Sequence, residues 1–376
     1  MHVITSESVF SGHPDKVCDQ ISDAILDAIL EQDKNARVAI ETAIKDDLVF
    51  VFGEVTTTAK VDYKNIAKRK LYEIGYEDNF LVMEKISRQS PDIALCVDSN
   101  ESQEQGAGDQ GIMYGYACNE TRELMPLPIM LANRLSQEID KSRKEQYSHI
   151  FGPDGKCQVS VVYENDKPKK VQTIVVSAQT KSWIRRELYE DIIINEILPK
   201  VFDHKTINEA EILINPTGEF VFGGPYADSG LTGRKIIVDT YGGYAKHGGG
   251  AFSGKDVSKV DRSAAYYARY VSKAVVGANL ATRCELQLSY AIGIAKPVSV
   301  YVNTFGTGVI SDDKIQELIT QVFDFRPHNI RKELELDNVK FQELAKYGHF
   351  GREDLDVRWE HVDDKIVELR KLYEKA

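Results

Sequence analysis

Residues 223–263 read GGPYADSGLTGRKIIVDTYGGYAKHGGGAFSGKDVSKVDRS, and the rest of the chain is organised around them. Ten of these 41 residues are glycine, against 26 in the whole protein. Arg234, Lys235, Lys246, Lys255, Lys259 and Arg262 outnumber the four aspartates of the stretch, so it is a basic island in a chain of formal net charge −11. Glycine lets backbone amides approach a ligand closely and reach positive φ. Lys and Arg add full charge suited to polyphosphate. The combination predicts a triphosphate cradle. The competing reading, a mobile surface loop with solvated charges, is disfavoured because glycines and cations interleave over one continuous segment.

Outward from this stretch, helix, long hairpin and helix recur three times. The first set is a helix over 13–31, strands over 37–44 and 48–58 joined by Lys45-Asp46-Asp47, and a helix over 62–75 ending near Gly75. The second is a helix over 126–145, a hairpin of 158–163 with 170–178, and a helix over 182–197. The third is a helix over 258–279, a hairpin of 284–294 with 297–305, and a helix over 311–323. Alternating strands such as Cys284-Glu285-Leu286-Gln287-Leu288-Ser289 imply one buried face, hence antiparallel sheets backed by helices, an α/β chain of the α+β type. Residues 98–111 form a polar, glycine-rich connection long enough to be a lid or active-site loop. Residues 215–224 read as a strand broken at Pro216 and Gly218. The stretch 359–375 reads as a charged surface helix. Domains are expected at 1–97, 98–222 and 223–376.

Composition narrows the function classes. A chain of 376 residues predicts two or three domains. Its 42% hydrophobic and 28% charged residues are those of a globular protein. The acidic balance argues against a general nucleic-acid binder. Cys18, Cys96, Cys118, Cys157 and Cys284 include no CxxC spacing, which fits inert thiols in a reducing compartment better than a disulfide framework or zinc site. The N-terminus lacks a signal-peptide pattern, and no apolar run approaches membrane length. The expectation is a cytoplasmic protein.

Two motifs match famous patterns and fail them. Gly106 to Gly111, GAGDQG, fits GxGxxG, but a dinucleotide site needs a strand before and a helix opening at the glycines. Gly249 to Lys255 fits GxxxxGK, but Asp256 stands where a P-loop has Ser or Thr for magnesium. His13-Pro14-Asp15-Lys16 sits at a helix start, where exposed amides attract anions. There His13 suits a phosphate oxygen and Asp15 a cation; helix capping is the alternative. Asp261 is either a magnesium carboxylate or, through Ser258-x-x-Asp261, part of a capping box. Glu41 and Glu54 on predicted strands, and Phe220 in NPTGEF, have solvent-face and core readings beside their functional ones.

Taken together the motifs closely resemble the methionine adenosyltransferases (S-adenosylmethionine synthetases). The likeness rests on GHPDK at 12–16, QSPDI at 89–93, GAGDQG at 106–111, GLTGRKIIVDTYGG at 230–243, HGGGAFSGKDxSKVDRSAAY at 247–266 and GHFGRE at 348–353. It covers about Thr5 to Glu353. It implies three similar domains about a pseudo-threefold axis, and a homodimer with active sites between subunits, paired into a homotetramer. It implies that ATP and L-methionine give S-adenosylmethionine, with triphosphate cleaved to pyrophosphate and phosphate. Two Mg2+ per site and K+ are the implied ions.

By position, the resemblance makes His13, Lys156, Arg234, Lys235 and Lys255 catalytic. It places Asp154, Glu219, Phe220, Asp228 and Ala251 with them at ATP. Glu54, Gln89, Asp228 and Lys259 match methionine contacts. Asp15 and Asp261 match magnesium ligands and Glu41 the potassium ligand. Residues 98–106 match a mobile loop over the site. Phe10-Ser11 and Glu219 depart from the common family pattern. A kinase or nucleotide hydrolase using the same cradle, or a nonenzymatic subunit, are the alternatives; the second would be expected to lack cations or carboxylates that this chain retains.

Overall fold

The computed structural model describes residues 1–88 and 106–375. The expected helices and hairpins all form. Helix α1 (Pro14–Leu30) opens with Pro at its first position, and the His13 side chain caps it by accepting the Asp15 N–H at 3.2 Å. Both its apolar and its acidic residues are buried, so it is a central helix rather than a surface one. Strand β1 (His2–Val9) precedes it. Strands β2 (Arg37–Lys45) and β3 (Leu48–Thr56) pair antiparallel, and Asp46 takes positive φ in the turn. Helix α2 (Tyr63–Ile74) ends on left-handed Gly75, and β4 (Leu81–Ser87) then runs parallel to β3.

The second unit holds β5 (Gly111–Cys118), helix α3 (Leu127–Ser142) with a π-helical continuation Arg143–Tyr147, and strands β6 (Phe151–Glu164) and β7 (Lys167–Thr180). Asn165 and Asp166, both at positive φ, make the two-residue hairpin turn that matches strand twist. Helix α4 (Arg186–Ile192) and β8 (Glu211–Ile214) follow. The two-residue strand β9 (Gly230–Leu231), helix α5 (Val260–Gly277), strands β10 (Arg283–Tyr290) and β11 (Ser299–Asn303), and helices α6 (Asp312–Val322) and α7 (Asp363–Tyr373) complete the chain.

Residues 215–224 do not form the broken strand expected of them. The strand there is β8, and the chain turns at once. Pro216 has no N–H to donate, and the Asn215 side chain carries the ladder on instead, accepting the Ala178 N–H at 2.9 Å and donating to the Ala178 carbonyl at 3.1 Å.

The sheets are ordered β1-β6-β7-β8, β11-β10-β5 and β4-β3-β2-β9. Each takes one strand from a distant part of the chain: β1 lies on β6, β5 on β10 and β9 on β2. Two apolar cores result. One runs continuously from α1 and β2–β3 to α5 and β10; the other lies under β6–β7 against α3 and α4. Among the described residues no helix is long and apolar enough to cross a membrane.

Candidate active site

Helix α1 organises the site. Asp15, Asp19, Asp23 and Asp27 recur every four residues and so share one face of the helix. All four are buried, and each accepts backbone N–H groups from remote segments. Asp15 takes Leu231 N–H at 3.0 Å, Asp19 takes Gly233 at 2.9 Å, and Asp23 takes Gly254 at 2.8 Å. Asp27 takes Phe341 at 2.9 Å and Gln342 at 3.0 Å. The glycine-rich stretch is therefore clasped along α1 rather than loose. Contact is tight enough to demand glycine: a Cβ on Gly230 would lie 2.1 Å from the Pro14 carbonyl oxygen, and one on Gly254, itself at φ +78°, 1.8 Å from that of Ile40.

Buried cations balance this stripe. Lys16 bonds Asp19 at 2.8 Å and also Asp239; Arg262 grips both oxygens of Asp23 at 2.8 and 2.6 Å and donates to the Lys255 carbonyl at 3.0 Å. Burial alone would pull the Lys16 ammonium down, but Asp19 and Asp239 outweigh it and hold it protonated. The sequence reading missed Asp19, Asp23, Asp27 and Lys16 as site-building residues, and it counted Arg262 as a cradle cation where the structure buries it on Asp23. The signal was present: carboxylates at four-residue spacing inside an otherwise apolar helix have no reason to be there without partners.

At the start of α1 the expected phosphate cations converge. Lys235 Nζ lies 2.5 Å from Asp15 Oδ2, and the half-exposed Arg234 Nε lies 3.5 Å from Oδ1. Burial would raise the Asp15 carboxyl, but the Lys235 bond and charge outweigh it and hold it below its ordinary range. His13 is 3% exposed. Burial, with Lys235 next in weight, pushes its imidazole down to about 3. It is therefore neutral, and its 3.9 Å approach to Asp15 is not an ion pair. Its Nδ1 accepts the Asp15 amide, so the hydrogen sits on Nε2. Lys156, on β6, contributes to the same field at His13. Of the two readings of GHPDK the capping one is seen at His13, while the Asp15 carboxylate pairs with Lys235 and Arg234.

Further along the ribbon Lys255 Nζ bonds Asp261 Oδ2 at 2.6 Å. The capping box does not form. Lys259 is the N-cap, Ser258 N–H goes to Asp256 Oδ1 at 2.9 Å, and Asp261 stands in the first turn of α5 with its carboxylate on Lys255. Asp256, the residue that breaks the P-loop pattern, is structural: it accepts Val38 N–H at 2.7 Å and pairs with Lys259. The GAGDQG glycines open strand β5 and not a helix, which rules out the dinucleotide pattern.

The β6–β7 unit supplies the facing wall. Asp154 is buried and accepts Gly224 N–H at 2.7 Å, and burial pushes its carboxyl up to about 6. Half-buried Phe220 is tied through its carbonyl to Thr180 N–H at 2.8 Å, and Glu219 beside it is exposed. Asp228 is exposed and accepts Ser229 N–H at 2.8 Å. Half-buried Ala251 lies against Gly233. Two expected residues are not drawn into these contacts. Glu41 and Glu54 stand exposed on the outer face of the β2–β3 sheet. Gln89 and residues 98–105 lie outside the described residues.

Comparison with known proteins matches this chain to three family models in order. They are the N-terminal domain of S-adenosylmethionine synthetase over residues 1–92, the central domain over 104–220 and the C-terminal domain over 222–361. The S-adenosylmethionine synthase of Prochlorococcus marinus subsp. pastoris is 51% identical over 98% of this chain and 97% of its own length. That of Finegoldia magna is 51% identical over 98% of each chain. With the three domains in sequence and half of all residues shared end to end, the chain belongs to the S-adenosylmethionine synthetase family.

Proposed function

We propose that the chain is a methionine adenosyltransferase, forming S-adenosylmethionine from ATP and L-methionine and cleaving the displaced triphosphate to pyrophosphate and phosphate. The observation that carries this is the convergence of Lys235 and Arg234 on Asp15 beside neutral His13, with Lys255 and Asp261 on the same clasped ribbon.

The thioether sulfur of methionine has no proton to lose. Its attack on C5′ forms the sulfur–carbon bond as the carbon–oxygen bond to triphosphate breaks, and no general base is required. That suits a site rich in cations without a Ser-His-Asp array. Catalysis then rests on alignment and on charge placed where negative charge builds. Arg234, Lys235, Lys255 and Lys156 supply fixed positive charge, and His13 offers Nε2–H as a donor to the departing oxygen. Phe220 provides a ring for the adenine, while Asp154, Glu219, Asp228 and Ala251 line the nucleotide. Glu54, Gln89, Asp228 and Lys259 are assigned to methionine.

Asp15 and Asp261 fit magnesium, two ions per site. Each carboxylate pairs with a lysine ammonium, Asp15 with Lys235 and Asp261 with Lys255, so both are accessible to cations. Among the described residues no group of three or more His, Cys, Asp or Glu could hold a metal by itself, so phosphate oxygens would complete the shell. Bound magnesium would shield the charge of the triphosphate. Glu41 is assigned to potassium. Asp15→Asn is expected to raise the magnesium concentration needed for half-maximal rate; an unchanged magnesium titration would remove Asp15 from the metal site.

The outer face of β2–β3–β4 carries exposed or half-exposed Leu48, Phe50, Phe52, Leu81 and Met83 beside Glu41 and Glu54. This supports a homodimer whose second copy covers that face and completes the site, with two dimers forming a tetramer. The described cysteines are buried and free, which supports a reducing, cytoplasmic setting. The deciding assay incubates purified protein with ATP, magnesium and methionine and follows S-adenosylmethionine by mass. ATP consumed without methionine, and with no sulfonium product, would point to a kinase or hydrolase instead.

A further inference from the structure

A groove of about 400 Å³ lies away from the site described above, between the C-terminal end of α3 with its π-helical continuation and residues 343–355. Lys141, Lys144 and Lys346 line it. Among the described residues none of these three ammonium groups has a carboxylate within the 4.0 Å of an ion pair. Two of the groove's other charges, Asp140 and Arg352, are already committed. Asp140 accepts Ser11 N–H at 2.6 Å and Tyr347 Oη–H at 2.8 Å, and pairs with Arg143 at 3.3 Å. Arg352 grips Asp354 through two nitrogens, at 2.8 and 2.9 Å, and donates to the carbonyls of Lys346 and Gly348. Glu145 and Glu343 stand exposed at the rim without a lysine partner.

The lysines thus share the groove with Asp140, Glu145 and Glu343, and none of these carboxylates pairs with them. Burial first, and the charge of Lys144 next, hold the Lys346 ammonium below its ordinary range; burial does the same to Lys144. A protein gains nothing by crowding such groups unless something from outside balances them. Lysine ammonium groups bind phosphate as compact point charges. The floor is rigid, since Asp140, Tyr347 and Arg352 are fully bonded. Through Ser11 it adjoins the loop that carries His13.

We infer that this groove binds a compact phosphate-class polyanion, separately from the nucleotide site. The test is calorimetric titration of inorganic tripolyphosphate, at fixed ionic strength, into the purified protein and into Lys144→Gln/Lys346→Gln. The unaltered protein is expected to show two sites per chain. The double variant should lose one of them or weaken it by roughly tenfold or more, while turning over ATP and methionine within about twofold of the parent, as surface changes away from a site usually do. The charge-keeping Lys144→Arg/Lys346→Arg variant should retain the second site. A single site per chain in the parent, two sites untouched by the glutamine pair, or loss of the site in the arginine pair would each overturn the assignment. Titration with inorganic phosphate tests the class: phosphate binding as tightly as tripolyphosphate would exclude a polyanion site.

Discussion

The buried face of α1 and the outer face of the β2–β3–β4 sheet treat their carboxylates in opposite ways. On α1, Asp15, Asp19, Asp23 and Asp27 are saturated by amides and cations of the same chain. On the sheet, Glu41 and Glu54 stand exposed beside exposed apolar side chains, with no hydrogen bond or ion pair to another side chain among the described residues. A buried charge is tolerated only when paired and hydrogen-bonded, so the α1 stripe is a finished structural element. An exposed carboxylate such as Glu41, beside Phe52, carries no such obligation and contributes little to the single chain. The α1 stripe is thus satisfied within the single chain, whereas the sheet face leaves its carboxylates exposed.

The largest effect expected from breaking that contrast is at Asp23. Asp23→Ala leaves Arg262 buried without its partner and Gly254 N–H without an acceptor, a loss of about 3–5 kcal/mol for a broken buried pair. Equilibrium denaturation reads it directly, and a loss under about 1 kcal/mol would mean that the seam does not hold the ribbon. Next comes Lys255→Met, which removes one preorganised cation and should raise the barrier by about 2.7–4 kcal/mol, by analogy with an oxyanion donor. Turnover should fall far more than methionine binding loosens; near-normal turnover would sink the role given to Lys255.

A smaller, pH-dependent effect belongs to His13. Its folded imidazole titrates at about 3 against an ordinary 6.5, so the unfolded chain binds the extra proton between those values. The stability held by its neutral form is complete above pH 6.5 and is lost as pH falls from there toward 3. His13→Gln should flatten that acid limb in urea midpoints measured across this window; an unaltered slope would mean that His13 is not held neutral. The smallest effect is expected on the open face. Glu54→Gln should change monomer stability by no more than about 0.5 kcal/mol while weakening methionine use, read as a rise in KM. A large stability loss there would erase the contrast between the two faces.

Much of the fold was legible because periodicity and punctuation agreed. Pro14 and Gly75 act through local backbone preference and stand where the sequence placed them, while the second hairpin's strands run further than its pattern showed and turn at Asn165-Asp166. The pattern failed where a side chain replaced backbone, as at Asn215, and where strands such as β1 and β9 owe their existence to partners in remote segments of the chain. In the site, the ribbon and its cations were legible as a cluster, but the means of holding it was not. Asp19 and Asp23 read as ordinary helical polar residues until Gly233 and Gly254 are seen against them.

The sequence by itself determined the helix–hairpin–helix units, the basic glycine-rich ribbon and the set of groups available to a polyphosphate, since these depend on residue type and short spacing. Only the tertiary structure decided that α1 clasps the ribbon, that His13 is neutral with its hydrogen on Nε2, and that Asp261 faces Lys255 rather than capping a helix. The clasp depends on contacts between segments more than 200 residues apart and the neutrality of His13 on burial and on Lys235, while Asp261 meets Lys255 six residues away; no local pattern encodes the desolvation that fixes the first two.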